Sequence, residues 1–247
     1  MFGNLKWVLC LFASFLIFVR SERDEVNLGY KFPNFKANTT VGEIDFHDWL
    51  GNSWGILFSH PADFTPVCTT ELARVVKLMP EFEKRNVKVI ALSCDTVASH
   101  LEWSKDILSY AGEMTKTFPY PIIDDSSREL AVKLRMIDPD EKDKDGMPMT
   151  ARAVFIVDPN KKLRLSILYP ATTGRNFDEI LRVIDSLQLT DQNLVATPAD
   201  WKAGQECMIL PTVKQEDIPS LFPKGMSMYN VPSGKKYMRL TPDPKNN

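Results

Sequence analysis

No Cys-x-x-Cys pair stands anywhere in this 247-residue chain, and it holds only three histidines. His47, His60 and His100 show no i, i+4 helical spacing. Neither a dithiol redox motif nor a metal site is therefore expected, and no cofactor is called for. Positive charge is not in excess: 30 Lys and Arg face 32 Asp and Glu, a formal net charge of -2. Nothing is left over to neutralise a phosphate backbone, so nucleic acid is not an expected partner. Beyond residue 19 no apolar run approaches the length of a membrane span. Repeats and low-complexity tracts are missing, and the last four residues, Pro244 to Asn247, are not an ER-retention signal. What remains is an ordinary balance for a soluble globular chain, 44% hydrophobic and 25% charged.

The first residues stand apart. Lys6 precedes an apolar run from Trp7 to Val19, and Arg20 ends it. The run is short for a span and continuous rather than amphipathic. It reads as a secretory signal peptide over residues 1–21, which places the protein in the secretory pathway or outside the cell. A mitochondrial presequence, an uncleaved anchor and a cytoplasmic location are the alternatives. Cys10 leaves with the signal. Cys68, Cys94 and Cys207 remain, odd in number and widely spaced, which is no disulfide framework. The sequon Asn38-Thr39-Thr40 is an acceptor for glycan on a secreted chain.

Short apolar runs predict strands at 54–59, 87–93, 153–157 and 163–168. Apolar residues spaced by three and four predict a helix over 69–85, with Pro80 bending or breaking it. Further helices are expected over 97–110, from Ser126 or Ser127 to Leu134, and over 177–187 behind an Asn176 cap. Strands alternating with helices from about 26 to 189 mean an α/β domain with a largely parallel sheet. Residues 190–247 are proline-rich and aperiodic. They keep Trp201, Met208, Ile209, Leu210, Leu221 and Phe222, too many apolar groups for a disordered tail. They read as a smaller C-terminal domain packed on the first domain or on a partner chain.

The informative segment runs from Ser59 to Leu72, between a predicted strand and a predicted helix. A cysteine in the first turn of a helix meets unpaired backbone N–H groups and the positive end of the helix dipole. Both favour the thiolate over the thiol, and the thiolate is the nucleophile. Thr65, three residues before Cys68, can bring a hydroxyl beside the sulfur. Pro61 and Pro66 stiffen the loop. The ordinary alternative is a buried structural cysteine between capping threonines.

The string Pro61-x-x-x-Thr65-x-x-Cys68 resembles the active-site loop of the peroxiredoxins. Residues 150–159 are similar to the strand that carries that family's catalytic arginine, here Arg152. Residues 168–176, 221–225 and 232–237 resemble the 1-Cys branch, and the likeness covers about 28–244. The resemblance implies a thioredoxin-like α/β fold with a C-terminal dimerisation domain and a homodimer. It implies a peroxidase acting on hydrogen peroxide and organic or lipid hydroperoxides. Cys68 becomes the sulfenic acid, Thr65 orients the peroxide, Pro61 shields the sulfur and Arg152 stabilises the thiolate. His60 lines the pocket, and Glu71 holds the loop by hydrogen bonds or is simply a solvated helix residue. The Val-Cys-Pro context of a resolving cysteine is missing, and Cys207 does not match it. An external thiol, glutathione or a thioredoxin-like protein, is therefore the expected reductant, with Cys94 and Cys207 as packing residues.

Gly51-Asn52-Ser53-Trp54-Gly55 fits G-x-S-x-G but precedes its strand instead of following it, so the nucleophile elbow is absent. The 1-Cys branch carries a phospholipase A2 activity attributed to this serine, a histidine and an aspartate. Ser53 and His47 match two of these positions, and Asn160 stands at the third. Asparagine cannot stabilise an imidazolium, and Asp158 lies on another side of the turn. Weak or absent lipase activity is expected. A redox sensor or holdase using Cys68, and a hydrolase pairing Cys68 with His60 without an evident orienting group, complete the alternatives.

Overall fold

The computed structural model describes residues 26–245; the expected signal peptide and Cys10 lie outside them. The elements run in the order β1 (Lys36–Thr39), β2 (Gly42–Asp45), α1 (Phe46–Leu50), β3 (Trp54–Ser59), α2 (Pro66–Lys84), β4 (Val87–Ser93), α3 (Val97–Ala111), β5 (Ile122–Asp124), α4 (Glu129–Lys133), β6 (Ile137–Lys142), β7 (Pro148–Thr150), β8 (Arg152–Val157), β9 (Leu163–Tyr169), α5 (Phe177–Gln192), β10 (Val195–Ala196), β11 (Cys207–Ile209), α6 (Ile218–Leu221), β12 (Ser227–Met228) and β13 (Arg239–Thr241).

Seven strands form one sheet in the order β2-β1-β5-β4-β3-β8-β9. The expectation of a largely parallel sheet is corrected here. Only β3–β4 and β4–β5 are parallel; β3–β8, β8–β9, β1–β5 and β1–β2 are antiparallel. A strand buried on both faces reads as a continuous apolar run whichever way its neighbour points. Direction was therefore not encoded in the runs. The hairpin of β6 and β7 reverses the chain before β8 enters the sheet.

Side chains alternate across the sheet with the two-residue period of a strand. Ile56, Phe58, Val89, Ala91, Val154 and Ile156 pack on one face with Leu72 and Val76 of α2, Trp103 and Ile107 of α3, and Ile180 and Ile184 of α5. Leu57, Ile90, Leu92, Phe155 and Val157 face the other way, toward Phe32, Phe46, Leu50 and Ala131. A third cluster, Leu189, Val195, Trp201, Cys207, Ile209, Val213, Ile218 and Phe222, fills the C-terminal part. Its four short strands form their own sheet in the order β10-β11-β13-β12.

Two local expectations change. Pro80 sits inside α2, which runs on to Lys84. Its side chain is on the solvent face, where the ring meets least resistance. At α4 the serines do not occupy the cap position. Arg128 takes a left-handed backbone there, φ 64°, and the Asp125 carboxylate accepts from Leu130 N and Ala131 N at 3.0 and 2.7 Å. Asn176 caps α5 as its sequence position suggests, accepting from the backbone of Asp178 and Glu179.

Candidate active site

β3 ends at Ser59, and the chain turns through residues 60–65 into α2. Thr65 is the N-cap and Pro66 the first helical residue, where its missing N–H costs nothing. Cys68 therefore lies in the first turn. The N–H groups of Val67 and Cys68 precede the first intrahelical partner, Thr69 N to Thr65 O at 3.0 Å. The sulfur is completely buried.

One guanidinium nitrogen of Arg152 on β8 lies 3.3 Å from Cys68 Sγ. The same Nη1 donates to Glu71 Oε2 at 2.8 Å, and the other two nitrogens donate to the Ala171 carbonyl. Glu71 stands one turn beyond Cys68 and carries a second arginine. Arg175 reaches its carboxylate through backbone N, Nε and Nη2, at 2.6, 2.9 and 2.6 Å. Arg175 Nη1 donates to the Ser59 and Ala153 carbonyls, and its guanidinium lies 5.1 Å from the Phe58 ring centroid. Arg152, Arg175 and Glu71 are all buried. Burial pushes the Glu71 carboxyl up, but hydrogen bonds and charge from Arg175, with Arg152 beyond, hold it below its ordinary value. Two guanidiniums and one carboxylate leave one positive charge in a buried site. An anionic sulfur brings that sum to zero, which is the electrostatic case for a thiolate here.

The remaining predicted residues take these places. Pro61 is buried in the loop. Thr65 Oγ1 donates to Ala62 O at 2.9 Å, so its hydrogen is committed and its lone pairs are left for an incoming O–H. His60 is buried and hydrogen-bonded to Asp63, the orienting carboxylate the sequence did not reveal. Burial pushes the His60 ring below its ordinary value, against the raising effect of Asp63. Beside the loop runs a groove lined by Phe64, Thr65, Pro66, Trp103 and Tyr110. Arg175 and Asp63 went unassigned in the sequence, although both fall inside the strings that carry the resemblance.

Ser53 and His47 are not brought into a triad. Ser53 Oγ donates to Asn86 Oδ1 at 2.9 Å, and His47 Nε2 pairs with the Phe32 carbonyl at 2.8 Å. Asn160 is exposed, while Asp158 accepts from Lys162 N and Arg164. Cys68, Cys94 and Cys207 are all free thiols. Burial, with Asp125 nearby, pushes the Cys94 thiol up to about 11; burial and Asp243 do the same for Cys207, also to about 11.

A cysteine at a helix start, touched by an arginine from a neighbouring strand of a mixed sheet, defines a thiol peroxidase on the thioredoxin-like fold. Comparison with known proteins agrees. The AhpC/TSA family model matches residues 28–166, and the model for the C-terminal domain of 1-Cys peroxiredoxin matches 186–219. Peroxiredoxin-6 of Sus scrofa is 67% identical over 218 residues, 88% of this chain and 97% of that protein; Peroxiredoxin-6 of Homo sapiens is 66% identical over the same shares. The crystal structure of a cysteine-to-serine mutant of Arenicola marina Peroxiredoxin 6 superposes with a TM-score of 0.87, at 63% identity, covering 90% of this chain and all of that one. A yeast mitochondrial 1-Cys peroxiredoxin, described for thiol resolution via glutathione/thioredoxin systems, gives 0.78 at 46% identity, covering 87% and 99%. The chain belongs to the AhpC/TSA family, the peroxiredoxins, and within it to the 1-Cys branch. It is a thiol peroxidase with a thioredoxin-like domain and a C-terminal 1-Cys peroxiredoxin domain.

Proposed function

We propose that Cys68 is the peroxidatic residue, with Arg152, Thr65 and Pro61 shaping its reaction. The 3.3 Å contact from Arg152 to the sulfur carries this reading. The thiolate attacks one peroxide oxygen. The O–O bond breaks, the sulfur keeps that oxygen and its hydrogen as the sulfenic acid, and the other oxygen leaves as hydroxide or alkoxide to be protonated to water or alcohol. Arg152 faces charge that moves from sulfur to the leaving oxygen, and a guanidinium stays charged throughout. Glu71 and Arg175 hold Arg152 in place. The Thr65 lone pairs accept the peroxide O–H.

The sulfenic acid then needs an outside thiol. Cys94 and Cys207 are held as thiols well above neutrality, which supports their role as packing residues. We infer reduction by glutathione or a thioredoxin-like protein, as in the description of the yeast relative. Peroxide consumption with dithiothreitol should vanish in Cys68→Ser and persist in Ser53→Ala. Turnover by Cys68→Ser sinks the assignment. The reverse pattern on a phospholipid ester would establish the lipase reading, which the separate partners of Ser53 and His47 do not favour.

We further read 26–189 and 190–247 as two units, and the chain as a homodimer. The open edge of β9, with Leu168 exposed, suits pairing between copies. Sedimentation giving a monomer at micromolar concentration would refute the dimer. Entry into the secretory pathway stays our reading of residues 1–21. N-terminal sequencing of the mature protein tests it, and a product that retains Met1 overturns it.

A further inference from the structure

Three titratable side chains outside the arginine cluster are buried together. His60 follows β3, Asp63 lies in the loop before α2, and His100 stands near the start of α3. Both histidines are fully buried, and the Asp63 side chain is 1% exposed. Asp63 Oδ1 lies 2.9 Å from His60 Nε2. Asp63 Oδ2 lies 2.7 Å from His100 Nδ1 and accepts from Ser99 Oγ at 2.7 Å. The second ring nitrogen of His100 lies 3.1 Å from the Ile123 carbonyl oxygen.

Counting hydrogens narrows the charge states. A carbonyl oxygen only accepts, so His100 Nε2 carries a hydrogen. An ionised carboxylate only accepts, so His100 Nδ1 carries one as well. Burial pushes the Asp63 carboxyl up, but hydrogen bonds from His100 and His60 outweigh it and hold the group well below the usual carboxylate range. With Asp63 ionised, both nitrogens of His100 must carry a hydrogen for its two contacts to form. The three side chains bring their donor atoms within 4.8 Å of one another, and a His100 that gives a hydrogen to both Asp63 and Ile123 has no lone pair for a cation.

His60 differs. Its Nε2 donates to Asp63, while its Nδ1 is buried with no hydrogen-bond partner among the described residues. A hydrogen on Nδ1 would add a second cation with nothing to receive it. Burial opposes a charge on this ring, whose hydrogen then sits on Nε2 against Asp63. Leaving a buried polar atom unpaired is unfavourable.

We propose that Asp63 and His100 are positioning residues for the Cys68 reaction: their buried ion pair fixes His60 as its Nε2–H tautomer and ties the loop that carries Thr65 to the start of α3. The proposal rests on the peroxidase reading. Other groups complete the tie. Asp63 N donates to Asp95 Oδ2 at 2.9 Å, which also takes the Ser93 hydroxyl at 2.7 Å. Asp124 on β5 accepts from Val97 N at 3.0 Å at the opening of α3. The Trp103 ring packs 5.1 Å from the His60 ring, and Trp103 Nε1 donates to Thr69 Oγ1 at 3.1 Å, one residue past Cys68. The loop is thus held by Asp95, just past β4, and by α3, which β5 anchors in turn, and its far end is the N-cap of the catalytic helix.

Two measurements decide the matter. Nitrogen-15 NMR of the ring nitrogens in the full chain at pH 7 should show one histidine protonated at both positions and one neutral ring protonated at Nε2. Assignment through His100→Gln should give the first pattern to His100. A singly protonated His100 overturns the proposal, whatever the variants do. Stopped-flow tryptophan fluorescence then gives the rate of Cys68 with hydrogen peroxide. Asp63→Asn should slow it by about tenfold to a hundredfold, the scale of a 1 Å misplacement, and should abolish the doubly protonated signature. Ser99→Ala removes one hydrogen bond from the same carboxylate without touching its charge, and should keep both the signature and a rate within about twofold of wild type. An Asp63→Asn protein that folds and reacts at the wild-type rate refutes the positioning role, as does an equal loss in Ser99→Ala. If wild type itself fails to consume peroxide, the peroxidase reading falls, while the NMR result still judges the ion pair on its own.

Discussion

At the scale of single residues, the site depends on Glu71 more than its helix-surface spacing suggests. It is the only carboxylate in hydrogen-bond contact with the two buried guanidiniums among the described residues. Glu71→Ala removes the carboxylate shared by two buried guanidiniums and should destabilise the fold by about 3–5 kcal/mol, read from urea midpoints. Arg152→Lys should be milder in stability yet severe in rate, since an ammonium cannot reach Ala171, Glu71 and the sulfur together. Equal peroxide kinetics in Arg152→Lys would contradict the role given to the planar fork. Much of this constellation was readable beforehand. Cys68, Thr65 and Arg152 sit in recognisable strings, and the helix-start argument for Cys68 is local. Arg175 and His100 were not readable, because their partners lie 104 and 37 positions away in the chain. No periodicity marks a residue that works only through a distant contact.

At the scale of elements, strands with continuous apolar runs and helices with clear spacing were visible, and their ends agree to within a few residues. Most of the misses share a cause. β1, β2, β5 and β7 are only three or four residues long, and the C-terminal strands two or three. Such lengths cannot establish a period. Their pairing comes from the sheet they join. Pro80 shows the opposite case, a strong local signal overridden by packing. Val75, Val76, Met79 and Phe82 bury one side of α2 around it. The helix accepts a proline that withdraws the hydrogen bond to the Val76 carbonyl. Pro80→Ala should therefore raise stability, by up to about 3 kcal/mol, with unchanged peroxidase activity. A lowered denaturation midpoint would show that the ring is a favourable contact instead.

At the scale of the molecule, acid should be the weak flank. Glu71 and Asp63 are both held below their ordinary values of 4.5 and 3.8. Each contributes stability above that value and loses it as pH falls toward the folded one. His60 acts in the same direction, because its ring is depressed from 6.5 and the unfolded chain gains protons first. Denaturation midpoints should decline gently below pH 6.5 and steeply below pH 4.5. A profile that stays flat through both ranges would mean these groups are not held as described.

The complete enclosure of Cys68 has a kinetic consequence. A small peroxide can be admitted by slight breathing of the loop, but a bulky reductant cannot follow it to a sulfur with no accessible surface. Recycling must wait for the opening turn of α2 to fray, a local event with its own rate. Regeneration should then climb with thiol concentration only until that fraying becomes the slow step, and level off beyond it. The enzyme's ceiling would be set by how often one helical turn comes loose, whichever thiol is waiting outside.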